Sequence, residues 1–242
     1  MSRRFRRAAL ALPLCLLLCL PGQAAPQVVH TTLPVVADAD FVFDRAIPPS
    51  APVRDEWFSD AVFLGDARAK AFLDAGLFTP GLSLAQVGLD VTSARSGAVF
   101  LSGGERLTLA QALEGGDYGK VYLMLGFNEA TWMSEDSFYR EYAALIDQLR
   151  QLLPDAQLYL QTILPVTAYR SSTQNPDNDL LARRSELLRK LAREKRVYLL
   201  DAHAALAPDG ALPSELSQDG LYLSPAGNQK WLEFLKTHTM GT

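Results

Sequence analysis

From Asp55 to the C-terminus, short continuous apolar runs alternate with segments whose apolar residues recur every three or four positions. Runs that are apolar throughout suit strands buried on both faces, and amphipathic segments between them suit helices that cover a sheet, so the alternation predicts a parallel sheet between two helical layers. Ala61–Leu64 ends in Gly65-Asp66, Lys120–Leu125 ends in Gly126, Leu158–Leu164 is closed by Pro165, and Val197–Leu200 runs into Asp201. Ala85–Val87 before Gly88 reads as a weaker fifth strand. Ala98–Ser102 and Arg106–Leu109 around Gly103-Gly104 predict a small hairpin. Ser134 is a predicted N-cap, with Glu135 and Asp136 in the first turn and Phe138, Tyr142, Leu145, Ile146 and Leu149 at helical spacing. Leu180–Lys195 repeats the pattern, and Ser224-Pro225 opens a last helix carrying Trp231, Phe234 and Leu235. In open sheets of this kind ligands bind beyond the carboxyl ends of the strands, which directs attention to Asp66-Ala67, Gly88, Asn128 and the loop before the last helix.

The first 25 residues follow a different logic. Arg3, Arg4, Arg6 and Arg7 precede the apolar run Ala8–Leu20, which Pro21, Gly22 and Ala24 terminate. This is the layout of a secretory signal peptide, with cleavage expected after Ala24 and an extracytoplasmic destination; an uncleaved anchor is the alternative, and the only route to a membrane. Residues 26–54, with Pro48, Pro49 and Pro52, read as an extended linker, leaving 55–242 as one domain. Both cysteines, Cys15 and Cys19, fall in the leader, so no disulfide framework is expected. Taking the four leader arginines from 23 basic residues, against 27 acidic ones, leaves the remainder at a net charge of −8. Such a surface repels phosphate backbones and argues against a nucleic-acid partner.

The loops singled out above carry a family resemblance. Phe63-Leu-Gly-Asp-Ala-Arg68 resembles the first block of the SGNH (GDSL-type) hydrolases, normally Gly-Asp-Ser, in the form with a following arginine seen in some Gram-positive members. Gly88 fits the second block, Gly126-Phe-Asn-Glu129 is similar to the third, Gly-x-Asn-Asp, and Asp219-Gly-Leu-Tyr222 is similar to the fifth, Asp-x-x-His. The resemblance implies a three-layer α/β/α, flavodoxin-like fold with a mainly parallel five-stranded sheet and an esterase site without cofactor or metal. It places Ala67 at the nucleophile position, Tyr222 at the base position and Asp219 at that of the orienting acid. The backbone N–H of Ala67, Gly88 and the Asn128 amide would form the oxyanion hole, with Asp66, Arg68 and Glu129 as further ligand contacts.

A methyl group cannot attack a carbonyl, and a phenol with an ordinary pKa near 10 is a poor base at neutral pH. The expectation is therefore an impaired esterase whose pocket binds an acylated glycan or small ester-type ligand. Two alternatives stay open: an atypical esterase with relocated groups such as His203, and a structural scaffold of the cell envelope. Plainer roles exist for each residue. Gly88 and Asn128 can serve a tight turn, Asp66 and Asp219 can brace their own loops, Arg68 can pair with a local acid, His203 can be a helix-start residue, and Ser224 can be only an N-cap.

Overall fold

The computed structural model describes residues 41–241, apart from 98, 103 and 104; the predicted leader, residues 26–40 of the linker and the Gly103-Gly104 turn lie outside that set. Five parallel strands form the main sheet: β1 (Ala61–Gly65), β2 (Leu82–Ser83), β5 (Lys120–Met124), β6 (Gln157–Gln161) and β7 (Tyr198–Leu200), in the order β2-β1-β5-β6-β7. The predicted hairpin is the antiparallel pair β3 (Phe100–Ser102) and β4 (Glu105–Leu107), with Ser102 opposite Glu105.

Alternate strand residues feed two cores, as a period of two requires. Val62, Leu64, Val121, Leu123, Leu158 and Leu160 face one layer, made by α2 (Val91–Ser96), α3 (Leu109–Leu113), α4 (Glu135–Leu152) and α6 (Asn178–Lys195). Ala61, Phe63, Tyr122, Tyr159, Tyr198 and Leu200 face the other, made by α1 (Ala67–Asp74), α7 (Ala202–Leu206) and α8 (Pro225–Thr237). On that second face the register places Phe63, Tyr122 and Tyr159 side by side. Their rings stack at 4.7 Å from centroid to centroid in both pairs, the spacing between hydrogen-bonded strands.

The long helices begin where their caps predict. Ser134 Oγ accepts the Ser137 N–H at the start of α4, and Ser224 Oγ accepts that of Gly227 at the start of α8. Asp177 caps α6, and a short α5 (Ala168–Thr173) precedes it.

Two expectations need correction. The edge strand pairs at Leu82–Ser83 rather than at Ala85–Val87. The ladder continues irregularly, through Leu84 N–H to Phe63 O and Gln86 N–H to Gly65 O, and stops there because β1 turns into α1. Residues 41–54 do not stand clear of the domain either. Phe41 and Ile47 are buried, Phe41 packs edge-on against Tyr198 with ring centroids 5.3 Å apart, and Ile47 N–H donates to Leu199 O at 2.9 Å. Val53 N–H donates to Lys236 O at 2.9 Å. The prolines make this stretch extended, but its apolar side chains give it a surface to bury, so it lies on the domain as a strap.

Candidate functional site

The strand order reverses between β1 and β5, because β1 leads to β2 on one side and β5 onward on the other. Loops that leave adjacent strands on opposite faces open a crevice at that point. The loops after β1, β2 and β5 meet there, joined by the turn that precedes α8.

Gly65 ends β1, and a Cβ built on it would fall 2.3 Å from Ala69 Cβ, so only glycine lets α1 start this close to the strand. Asp66 caps the helix. Its Oδ1 accepts the N–H of Arg68 at 2.9 Å and, more weakly, that of Ala69 at 3.4 Å. Burial raises the Asp66 pKa against the attraction of Arg68. Ala67 is the first helical residue, and its N–H is not among those that Asp66 satisfies.

Arg68, 7% exposed, spans from α1 to the segment that follows β6. Nη1 donates to Leu164 O at 2.5 Å and Nη2 to Pro165 O at 3.0 Å, and the guanidinium lies 5.3 Å from the centroid of the Phe127 ring. Among the described residues Arg68 makes no ion pair; the acids Asp66 and Asp219 attract it through space only. Burial brings the Arg68 pKa down to about 10; Asp66, Tyr222 and Asp219 oppose that shift and Arg170 adds to it. The turn at 219–222 thus sits within electrostatic reach of the first turn of α1.

Gly88 has φ +79°, with no atom within 4 Å of where a Cβ would stand, so glycine is needed there for backbone conformation and not for room. Asn128 ties the β5 loop to the β2 loop, Nδ2 donating to Leu89 O at 2.8 Å. One amide hydrogen serves that bond; an amide carries two. Glu129 next to it is fully buried, accepts the Val91 N–H at 3.0 Å through Oε1, and has no protein partner for Oε2 among the described residues. Burial raises its pKa to about 7. Arg184 from α6 holds the same loop, donating to the carbonyls of Ala130 and Met133.

Asp219 is exposed and braces its own turn: Oδ1 accepts the N–H of Leu221 at 2.9 Å and that of Tyr222 at 2.8 Å. The turn docks on the start of α5 through Thr167 N–H to Gly220 O at 3.0 Å. His203 is built into the strand ends, its N–H donating to Thr162 Oγ1 at 2.9 Å and its Nδ1 facing Ile163 O at 3.2 Å. Burial lowers its pKa. Ser224 acts as the cap of α8, with its Oγ donating to Glu215 O. Among the described residues no three His, Cys, Asp or Glu side chains group as a metal site. Phe127, within the Gly126-Phe-Asn-Glu129 block, and Gln161 complete the neighbourhood; a polar letter within an apolar run is the signal that could have marked Gln161.

A five-stranded parallel sheet between two helical layers, with these loops at its switch point, defines a three-layer α/β/α protein of flavodoxin-like strand order. The model of the GDSL-like Lipase/Acylhydrolase family matches residues 64–230, and the chain belongs to that family. Among solved structures it resembles a Streptococcus pneumonia protein provisionally described as a platelet activating factor (22% identity, 73% of this chain and 82% of that one, TM-score 0.62). It also resembles an acetyl xylan esterase (17%, 72% and 96%, TM-score 0.55). A GDSL-like lipase from Bacteroides thetaiotaomicron is a third (12%, 76% and 88%, TM-score 0.52). Likeness at these identities concerns the fold. No match is found among curated proteins.

Proposed function

We propose that this chain is an exported member of the family, of the Gram-positive type, in which the esterase chemistry is impaired and the crevice serves to bind an acylated or carbohydrate-type ligand of the cell envelope. The observation that carries the reading is Ala67 at the first position of α1, directly after the strand end where the family resemblance calls for a nucleophile. Its methyl has no lone pair, and Tyr222 offers a phenol in place of an imidazole. Two oxyanion-type donors are supported by their surroundings: the Ala67 N–H, which Asp66 does not claim, and the second hydrogen of Asn128. Such donors alone sustain about 10³–10⁴-fold over water, little enough to be masked in an ordinary assay. The acetyl xylan esterase among the neighbours makes acetylated oligosaccharide the first ligand to try.

The test combines turnover and binding. Purified protein should hydrolyse p-nitrophenyl acetate no faster than a heat-killed control. It should bind acetylated xylo-oligosaccharide in a calorimeter, more weakly after Asn128→Ala. Turnover well above the control that Asn128→Ala abolishes would instead establish an active enzyme with relocated groups.

A further inference from the structure

A cleft of about 460 Å³ opens along the β2 edge of the main sheet, lined by Lys70 of α1, Phe100 of β3 and the segment Ser83–Val87. Two relationships place it against the candidate site. Gln86 N–H donates to Gly65 O at 3.0 Å, which sets the far end of the segment beside the strand end that leads to Ala67. Lys70 follows Ala67 by three residues on α1, so the two share one flank of that helix. The segment then turns at Val87-Gly88, where Leu89 N–H reaches Gln86 O at 3.4 Å. A ligand whose acyl group lies among Ala67, Gly88 and Asn128 therefore has this cleft beside it for the rest of its length.

The lining selects what that remainder can be. Among the described residues that line the cleft Lys70 alone is charged, and its Nζ lies 2.8 Å from Asp74 Oδ2, so the pair presents no net charge to an anion. Leu84 N–H and Gln86 N–H are spent on Phe63 O and Gly65 O. Strand alternation turns the peptide groups of Ser83 and Ala85 the other way, toward the open edge. The Ser83 hydroxyl and the Gln86 amide make no hydrogen bond among the described residues, and Val87, 76% exposed, adds an apolar surface. A hydrocarbon chain would strip water from these polar groups and return no hydrogen bond. Two outward peptide groups before the turn are too few for an added β-strand. Sugar hydroxyls both donate and accept, and the C–H face of a sugar ring can pack on Val87.

We infer that the cleft is a subsite for the sugar chain of an uncharged oligosaccharide, with Ser83–Val87 as its specificity-determining wall. The inference rests on the proposed binding of an acylated ligand and narrows it: recognition extends along the sugars and does not stop at the acyl group.

Calorimetry on the full chain with acetylated xylobiose and acetylated xylohexaose tests it. Two added hydrogen bonds predict that the hexaose binds on the order of 10-fold tighter. Ser83→Trp, at an exposed position, fills the cleft and should bring the ratio of the two affinities close to one. Should that variant not fold, the length dependence in the parent protein still decides. Equal binding of both sugars by the parent overturns the cleft assignment and leaves the proposed function standing. Binding of neither overturns the proposed function and this inference with it. A ratio that Ser83→Trp leaves unchanged overturns the location. Displacement of the hexaose by a capped threonine-valine tetrapeptide, or tighter binding of octanoyl than of acetyl xylobiose, overturns the choice of sugar.

Discussion

Asp219 Oδ1 lies 2.8 Å from the backbone nitrogen of Tyr222 and 2.9 Å from that of Leu221. Both bonds fall on one carboxylate oxygen, so the acid fixes the path of the turn that presents residue 222 while its other oxygen has no part in either bond. The turn is clamped further by Ser217 Oγ, which donates to Tyr222 O at 3.0 Å, and by the Gly220 N–H, which donates to Ser217 Oγ at 2.8 Å.

A turn held this firmly should present an imidazole as readily as a phenol. The double change Ala67→Ser with Tyr222→His is expected to gain p-nitrophenyl acetate hydrolysis on the order of 10²-fold or more over either single change, because triad members act as a unit. Steady-state kinetics on the three variants checks it. A folded double variant no faster than the singles would mean that the crevice has lost the geometry for acyl transfer.

Glu129 should make the domain sensitive to pH. Burial holds its pKa at about 7, above the ordinary 4.5. With the folded-state value raised, the carboxyl costs nothing below about pH 4.5, where both states are protonated. Stability then falls as pH climbs toward 7, and the cost is complete above it, on the order of 3 kcal/mol. Urea midpoints at pH 5 and pH 8 should therefore differ in the parent protein. Glu129→Gln keeps an acceptor for the Val91 N–H and has nothing to ionise, so the difference should shrink. An equal slope in both proteins would assign the pH dependence to other groups.

Arg68 acts as a fork that clamps the segment following β6. Arg68→Met leaves the carbonyls of Leu164 and Pro165 without their donors and should lower unfolding stability by about 2–4 kcal/mol. Arg68→Lys should recover only part of that loss, since a single ammonium cannot reproduce two spread N–H groups. Denaturant titration distinguishes the three proteins, and a full rescue by lysine would show that charge alone matters at this position.

The sheet was legible because strands buried on both faces must be apolar throughout, and Ala61–Leu64, Lys120–Leu125 and Val197–Leu200 are. β2 was displaced in the reading because a two-residue edge strand leaves no pattern of its own; only the register with Val62 and Phe63 locates it. The site loops could be found from Gly65-Asp66, Gly88 and Asn128, since each such residue type meets a local need. The reach of Arg68 could not, because its partners are backbone carbonyls nearly a hundred residues away, and every residue has a carbonyl. Gln161 was visible as a polar letter in an apolar strand, but nothing near it names Trp231 as its partner. The Pro-rich stretch was read from its prolines, whereas Phe41 and Ile47 decide where it lies.

That strap offers the sharpest contrast between two pictures of the region ahead of Asp55. Ile47 is 3% exposed and its N–H bonds to Leu199 O in the middle of β7. Arg45 and Arg54 are exposed on either side of it. A protease needs several residues of extended, unpaired backbone, so trypsin can cut at these arginines only when the strap lifts. Ile47→Ala removes buried methyl groups worth about 2–5 kcal/mol if the surroundings do not collapse, and lifting should become correspondingly easier. Trypsin should then cut at Arg45 and Arg54 faster in Ile47→Ala than in the parent, and the urea midpoint should fall with it if the strap unfolds with the sheet. A linker that stood clear of the domain would be cut equally fast in both proteins, with no change in midpoint.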